Sequence, residues 1–215
     1  MRNAVASLTV FSLVAALSTT PGIGPVGAAH AASFNCAQAG TPTEVAICGD
    51  AALSQLDGAI GAAYAQRLAS DPSLKQVQRG WLKTRNLGCG QDRGCLRRMM
   101  TYELSWLNSG GRPTGSLPKS IGVCGLSTVT RVGYRMGTPD SGSAIAEANG
   151  ATQISYDDIR EVDASRVGDP ALVCLVALPT DCPPGDDRGK TYAAANLRTL
   201  GAWVAADSQH SCGGA

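Results

Sequence analysis

The stretch Ser109-Gly110-Gly111-Arg112-Pro113-Thr114-Gly115-Ser116-Leu117-Pro118-Lys119-Ser120 divides the chain in two. Gly, Pro and Ser favour turns and leave little to bury, so residues 109–120 read as a linker. Before it, over 32–108, apolar residues recur at helical spacing; after it, over 121–215, β-branched residues and turn signals dominate. The expected fold class is α+β, a small disulfide-stapled helical bundle followed by a small disulfide-linked β barrel or sandwich. Charge divides at nearly the same place. Residues 32–116 hold 9 Lys+Arg and 6 Asp+Glu, a net +3, whereas residues 117–215 hold 8 and 11, a net −3.

Toward the N-terminus, Asp92 can cap a helix carrying Leu96, Met100, Leu104 and Leu107. The helix before it carries Leu74, Val77, Trp81, Leu82 and Arg85 and is expected to stop at Gly88. A turn at Ser70-Asp71 joins it to a helix over about 51–69, whose apolar face runs through Leu53, Leu56, Ile60, Tyr64 and Leu68 and whose cap is Asp50. Thr41-Pro42-Thr43-Glu44 is a capping box with proline at the first helical position, and it opens a short helix ending near Gly49. Residues 1–31 read as a secretory leader. Arg2 supplies the positive end, Ala4 to Leu17 the apolar run, and Ala29-His30-Ala31 a small-x-small cleavage site, so the mature chain is expected to begin at Ala32. Ser33-Phe34-Asn35 before Cys36 does not suit lipid attachment, and no apolar run approaches the length of a membrane span. A periplasmic or secreted protein is expected.

Toward the C-terminus, strands are expected from Val123 to Thr130, at Ser143 to Ala148 and Ala151 to Tyr156 around Asn149-Gly150, from Ala171 to Leu178, and in a final hairpin of Thr191 to Asn196 with Ala202 to Ala206. Asn-Gly predicts a type I′ turn. Asp181-Cys182-Pro183-Pro184-Gly185-Asp186-Asp187-Arg188-Gly189 is a rigid turn whose carboxylates, Asp186 and Asp187, are either cation-binding candidates or partners for Arg188.

Eight cysteines, at 36, 48, 89, 95, 124, 174, 182 and 212, all follow the leader and include no C-x-x-C pair, which favours four disulfides over zinc or thioredoxin-like chemistry. If the two helices flanking Ser70-Asp71 pack side by side, Cys48 faces Cys89 and leaves Cys36 for Cys95. Three connectivities are open to these four cysteines. In the second half the expected pairs are Cys174 with Cys182 and Cys124 with Cys212.

Phe34-Asn35-Cys36, Thr41-Pro42-Thr43-Glu44-x-x-Ile47-Cys48, Leu53-x-x-Leu56-Asp57, Gln78-Arg79-x-Trp81-Leu82-x-x-Arg85-Asn86 and Cys89…Cys95-Leu96 together resemble the N-terminal domain of the LprI-type lysozyme-inhibitor family over about residues 33–107. The resemblance implies a disulfide-stapled helical domain of the bacterial cell envelope that binds and inhibits lysozyme or a related cell-wall hydrolase. This chain departs from the family in lacking a lipobox and in carrying a second domain. Trp81 lies on the same helical stripe as Leu74 and Val77 and reads as core. Arg85 is a candidate partner contact or an intramolecular mate for Glu44 or Asp57; Arg97, with Arg93 and Arg98, forms a basic patch that is a solvated face or a binder of anionic envelope polymer.

Composition narrows the function. With 44% hydrophobic and 16% charged residues, the chain has a core to bury and is neither disordered nor a coiled coil. A net charge of +1 lacks the basic footprint of a nucleic-acid binder. His210 is the one histidine after the leader, so a Ser-His-acid triad has a single possible base, and no G-x-S-x-G occurs. Asp157, Asp158, Glu161 and Asp163 are paired carboxylates without a diagnostic context. No cofactor is expected. The leading expectation is a non-enzymatic inhibitor of lysozyme or another cell-wall hydrolase. The alternative is a scaffolding envelope module that binds peptidoglycan or another protein.

Overall fold

The computed structural model describes residues 32–214; the leader expected over 1–31 lies outside the described residues. The chain enters its first helix, α1 (Pro42–Cys48), through the capping box: Thr41 Oγ1 accepts the Glu44 N–H at 3.2 Å, and the Glu44 carboxylate accepts those of Thr41 and Gly40 at 2.9 and 3.0 Å. Asp50 accepts two backbone N–H groups at the start of α2 (Ala51–Leu68), and Asp92 does the same for α4 (Arg93–Asn108). Between them, α3 (Leu74–Cys89) runs through Gly88 rather than stopping there, and ends at Gly90 with φ of +53°.

Gly88 is interior because α3 is the helix on which the barrel rests. It touches α2 little and lies across three strands instead, while α2 packs on α4. This arrangement overturns the expected Cys48–Cys89 and Cys36–Cys95 pairs, which required α2 and α3 to be neighbours along their length. The bridges are Cys36–Cys48 and Cys89–Cys95, closing short loops of 12 and 6 residues. Cys36 lies in a 3-10 turn (Cys36–Gln38) that folds back on α1, and the tight α3–α4 turn leaves Cys89 and Cys95 within reach of each other.

Six antiparallel strands form a closed barrel: β1 (Cys124–Tyr134), β2 (Ser143–Glu147), β3 (Thr152–Ile154), β4 (Pro170–Ala177), β5 (Thr191–Asn196) and β6 (Ala202–Ala206), in the order β1-β2-β3-β6-β5-β4. Closure removes the exposed edges that an open sheet of this size would present. The long β1 makes this possible, pairing through residues 124–128 with β4 and through 129–134 with β2. Cys124 and Cys174 are directly opposite on the β1–β4 seam and are bonded to each other; Cys182 is bonded to Cys212. These bonds replace the expected Cys174–Cys182 and Cys124–Cys212 pairs. Cys174 sits in mid-strand on the face turned to the helices, whereas Cys182 lies past the end of β4 beside the C-terminal tail.

The hairpin at Asn149-Gly150 also differs from the type I′ turn expected. Gly150 has φ of +91° but Asn149 is not at positive φ; Gly150 N–H donates to Glu147 O, and Glu147 N–H to Ala151 O. Three residues form the loop, a turn followed by a left-handed glycine, rather than two. A four-residue helix, α5 (Arg160–Asp163), fills one end of the barrel with Val162.

β4 is apolar on both faces because both are covered. Ala171, Val173 and Leu175 point into the barrel with Tyr192 and Ala194 of β5, while Leu172, Cys174 and Val176 join the helical core with Ala193 and Leu197. The helix surface against them is made of small residues one turn apart, Gly80, Thr84 and Gly88. A Cβ at Gly80 would lie 2.5 Å from Leu197 Cδ2, and one at Gly88 would lie 2.6 Å from Val176 Cγ1 and 2.8 Å from Ala193 Cβ. Thr84 is fully buried, its Oγ1 3.6 Å from Cys174 Sγ. The segment 109–120 connects the halves and is fastened to both. Arg67 donates to Gly111 O at 2.9 Å, Leu126 N–H to Thr114 O at 2.7 Å, and Tyr192 Oη to Pro118 O at 3.3 Å.

Gly88→Ala is expected to destabilise the protein by about 1–3 kcal/mol, although alanine is the better helix former, because the methyl group of Ala193 cannot rotate away. Urea unfolding checks this, with a lower midpoint at unchanged slope as the expected result.

Candidate partner-binding surfaces

Within the Gln78–Asn86 block Arg79 and Lys83 face solvent, whereas Arg85 folds inward. Arg85, 3% exposed, donates to Asp57 Oδ1 at 3.1 Å and through Nε to Asn86 Oδ1 at 3.1 Å, and its guanidinium lies 5.0 Å from the centroid of the Trp81 ring. Burial pulls the Arg85 pKa down and Asp57 opposes the shift. The second Asp57 oxygen accepts the N–H and the hydroxyl of Ser33, so the same carboxylate fastens the entry segment to α2 and α3. Of the two mates expected for Arg85, Asp57 is the one bonded to it. Glu103 on α4 is fully buried, accepts the Trp106 indole N–H at 2.9 Å, and is pushed up to about 8 by burial.

Of the other residues singled out in the sequence, Arg97 faces solvent, its side chain 57% exposed and 3.7 Å from Asp50. With Arg98, Thr101, Tyr102, Ser105 and Ile121 it lines a cleft of about 500 Å³ between α4 and the chain leading into β1. Asp186 forms a fork with Arg188, with contacts of 2.9 and 2.8 Å, and also accepts the Gly213 N–H at 3.0 Å; these bonds hold its carboxyl well below the usual range. Asp187 pairs with Lys190, which lowers its pKa in the same direction. The turn therefore matches the Arg188–Asp reading, with both carboxylates engaged by cations of their own chain. Asp163 accepts the Ser143 hydroxyl at 2.9 Å, while Asp157 and Asp158 are exposed.

One surface was not singled out in the sequence. Tyr134, Met136 and Tyr156 are 43, 67 and 55% exposed, and the loop that carries Met136 is held in one shape by its own hydrogen bonds. Arg135 N–H donates to Gly142 O at 2.7 Å, Arg135 Nε to Ser141 O at 2.8 Å, Met136 N–H to Ser141 Oγ at 3.1 Å, and Ser141 Oγ to Thr138 O at 2.6 Å. Gly142, at φ of +94°, seats the loop against the chain after β3, where a Cβ would lie 2.1 Å from Ser155 O. Arg135 stacks on the Tyr156 ring at 4.2 Å and reaches Gln209 Oε1 at 3.2 Å, while Tyr156 Oη donates to Gln209 O at 2.8 Å. The available signal was Tyr134-Arg135-Met136 followed directly by the turn residues Gly137-Thr138-Pro139-Asp140, large apolar side chains where a loop should be polar.

Residues 35–116 match the family described as Lysozyme inhibitor LprI. The match covers the four helices and part of the segment into β1, and the barrel stands outside it. No curated protein and no solved structure matches the chain. Trp81, Arg85 and Asp57, among the residues that carry the resemblance, lie within the matched segment and are buried.

Glu103 makes stability depend on pH. With its folded pKa at about 8, against 4.5 ordinarily, the native state holds a proton that the unfolded chain has released. Stability should therefore fall as pH rises between these values, by up to about 1.4 kcal/mol per pH unit for each such group. Glu147, buried in the barrel and pushed up to about 7, adds to the slope over the lower part of the window. Glu103→Gln is expected to flatten the decline between pH 6 and 8, as read by urea midpoints across that range.

Proposed function

We propose that the protein is an exported, extracytoplasmic inhibitor of lysozyme or a related cell-wall hydrolase. The LprI match over 35–116 is the observation that carries the reading. Four disulfides among the described residues support an oxidising compartment, and no helix there is long and apolar enough to cross a membrane. Inhibition requires a surface that covers the enzyme's cleft and no catalytic group of the inhibitor's own. The leader over 1–31 directs export, and the mature chain from Ala32 is released without a lipid.

The two halves act as one body, because Leu172, Cys174, Val176, Ala193 and Leu197 of the barrel share a core with the helices. The full mature chain is therefore the proper reagent. Lysozyme activity on cell-wall substrate should fall stoichiometrically with added oxidised protein, and should not fall with protein that has been reduced, alkylated and freed of reductant. Absence of inhibition at large excess overturns the reading.

The Arg97–Arg98 cleft supports a second reading, a non-inhibitory envelope module that binds peptidoglycan. Cosedimentation with insoluble peptidoglycan, abolished by the Arg97→Glu/Arg98→Glu double variant, is the outcome it requires.

A further inference from the structure

We infer that the loop between β1 and β2, with Tyr134 and Tyr156 beside it, is the surface by which this protein docks on a basic cell-wall hydrolase, Met136 being the side chain that enters the enzyme's cleft. The inference rests on the inhibitor reading and assigns that activity to the barrel, outside the LprI match.

Three properties coincide there. Met136 and Tyr156 are more than half exposed and Tyr134 is only slightly less so, and large apolar side chains gathered on a surface mark interaction sites when scattered ones do not. The loop is already ordered: the Arg135 and Ser141 hydrogen bonds brace it from within, and Gly142 fixes where it rejoins the barrel. A braced loop presents its anchor without losing much conformational entropy on binding, which distinguishes a tight inhibitor from a sticky patch. Tyr156 is fixed in turn, its ring under Arg135 and its hydroxyl on Gln209.

Charge selects the partner. Asp140 lies in the loop and Asp157 and Asp158 follow Tyr156; all three are exposed, and none forms an ion pair among the described residues. The one cation of the loop, Arg135, is occupied by Tyr156 and Gln209. The surrounding half carries a net −3 over residues 117–215. An apolar anchor accompanied by exposed carboxylates without ion-pair partners complements a basic enzyme, and such complementarity raises the association rate and makes it salt-sensitive.

The test measures inhibition and direct binding of a basic lysozyme by the full mature chain and three variants. Met136→Asp and Tyr134→Ala alter exposed side chains and should leave the thermal midpoint unchanged. Each should weaken inhibition, Met136→Asp by roughly 30-fold or more, the scale of losing a central anchor. The Asp140→Asn/Asp157→Asn/Asp158→Asn variant should associate more slowly and lose most of the salt dependence of the association rate. Lys75→Glu, at an exposed position on the other half, should inhibit like the parent. Full inhibition by Met136→Asp overturns the docking surface and leaves the inhibitor reading standing; absence of binding by the parent chain overturns both. Concentration-dependent dimers that Met136→Asp abolishes would assign the loop to a second copy of this chain and likewise overturn the proposal.

Discussion

The contact on which the structure depends is the seating of α3 on β4 and β5. Gly80, Thr84 and Gly88 form a strip without bulk along one side of the helix, and the strands answer with Ala193, Ala195, Val176 and Leu197. Small residues on both sides bring the helix backbone close enough for one core to run from Trp81 and Met99 to Cys174 without a break. The rest follows from this close approach. Because α3 belongs to the barrel, α2 must find its cover on α4, and because the outer face of β4 is buried, its sequence is apolar throughout.

Inside the bundle the same compactness strands polar groups away from water. Arg85 and Asp57 are buried together, and each is satisfied by further partners, Asn86 and Ser33. A pair of this kind contributes less to stability than its geometry suggests, since desolvation offsets the attraction, but removing one partner leaves a charge without compensation. It therefore fixes which faces of α2 and α3 meet. Glu103 meets the same burial differently, by holding its proton and accepting from Trp106.

What was legible in the sequence was the local chemistry. Thr41, Asp50 and Asp92 cap helices with atoms two or three residues away, so their effect is written in adjacent letters. The final hairpin, Thr191–Asn196 with Ala202–Ala206, has the expected bounds because turn residues border both strands. Disulfide pairing was not legible, since it hangs on whether α2 lies against α3 or α4, a decision made by the barrel-facing glycines of α3. Gly88 was misread for the same reason: a glycine near a helix end signals a stop locally, whereas here it admits a strand. Asn149-Gly150 suits two hairpin types, and the pairing of Glu147 with Ala151 chose between them. The exposure of Tyr134 and Met136 is a property of where β1 ends, and β1 runs on to Tyr134, four residues past the expected end at Thr130.

Barrel closure limits where new surface can arise without a change to the helical core. A closed sheet has no free edge to add a strand to, so new surface has to come from its connections, and these are free to vary while the ladders keep their register. The β1–β2 connection is the one best placed for this. It leaves from the part of β1 that has passed beyond β4, away from the Cys124–Cys174 seam and from the strands that α3 covers. Substitutions at Met136 or Tyr134 therefore touch neither core, whereas substitutions in the Trp81–Arg85 block disturb the bundle before they reach any partner. The buried residues of the bundle and the exposed residues of the β1–β2 loop are in this way kept in different parts of the molecule. The rigid α3 contact joins them, so that the loop is carried on a body of both halves rather than on a tethered module.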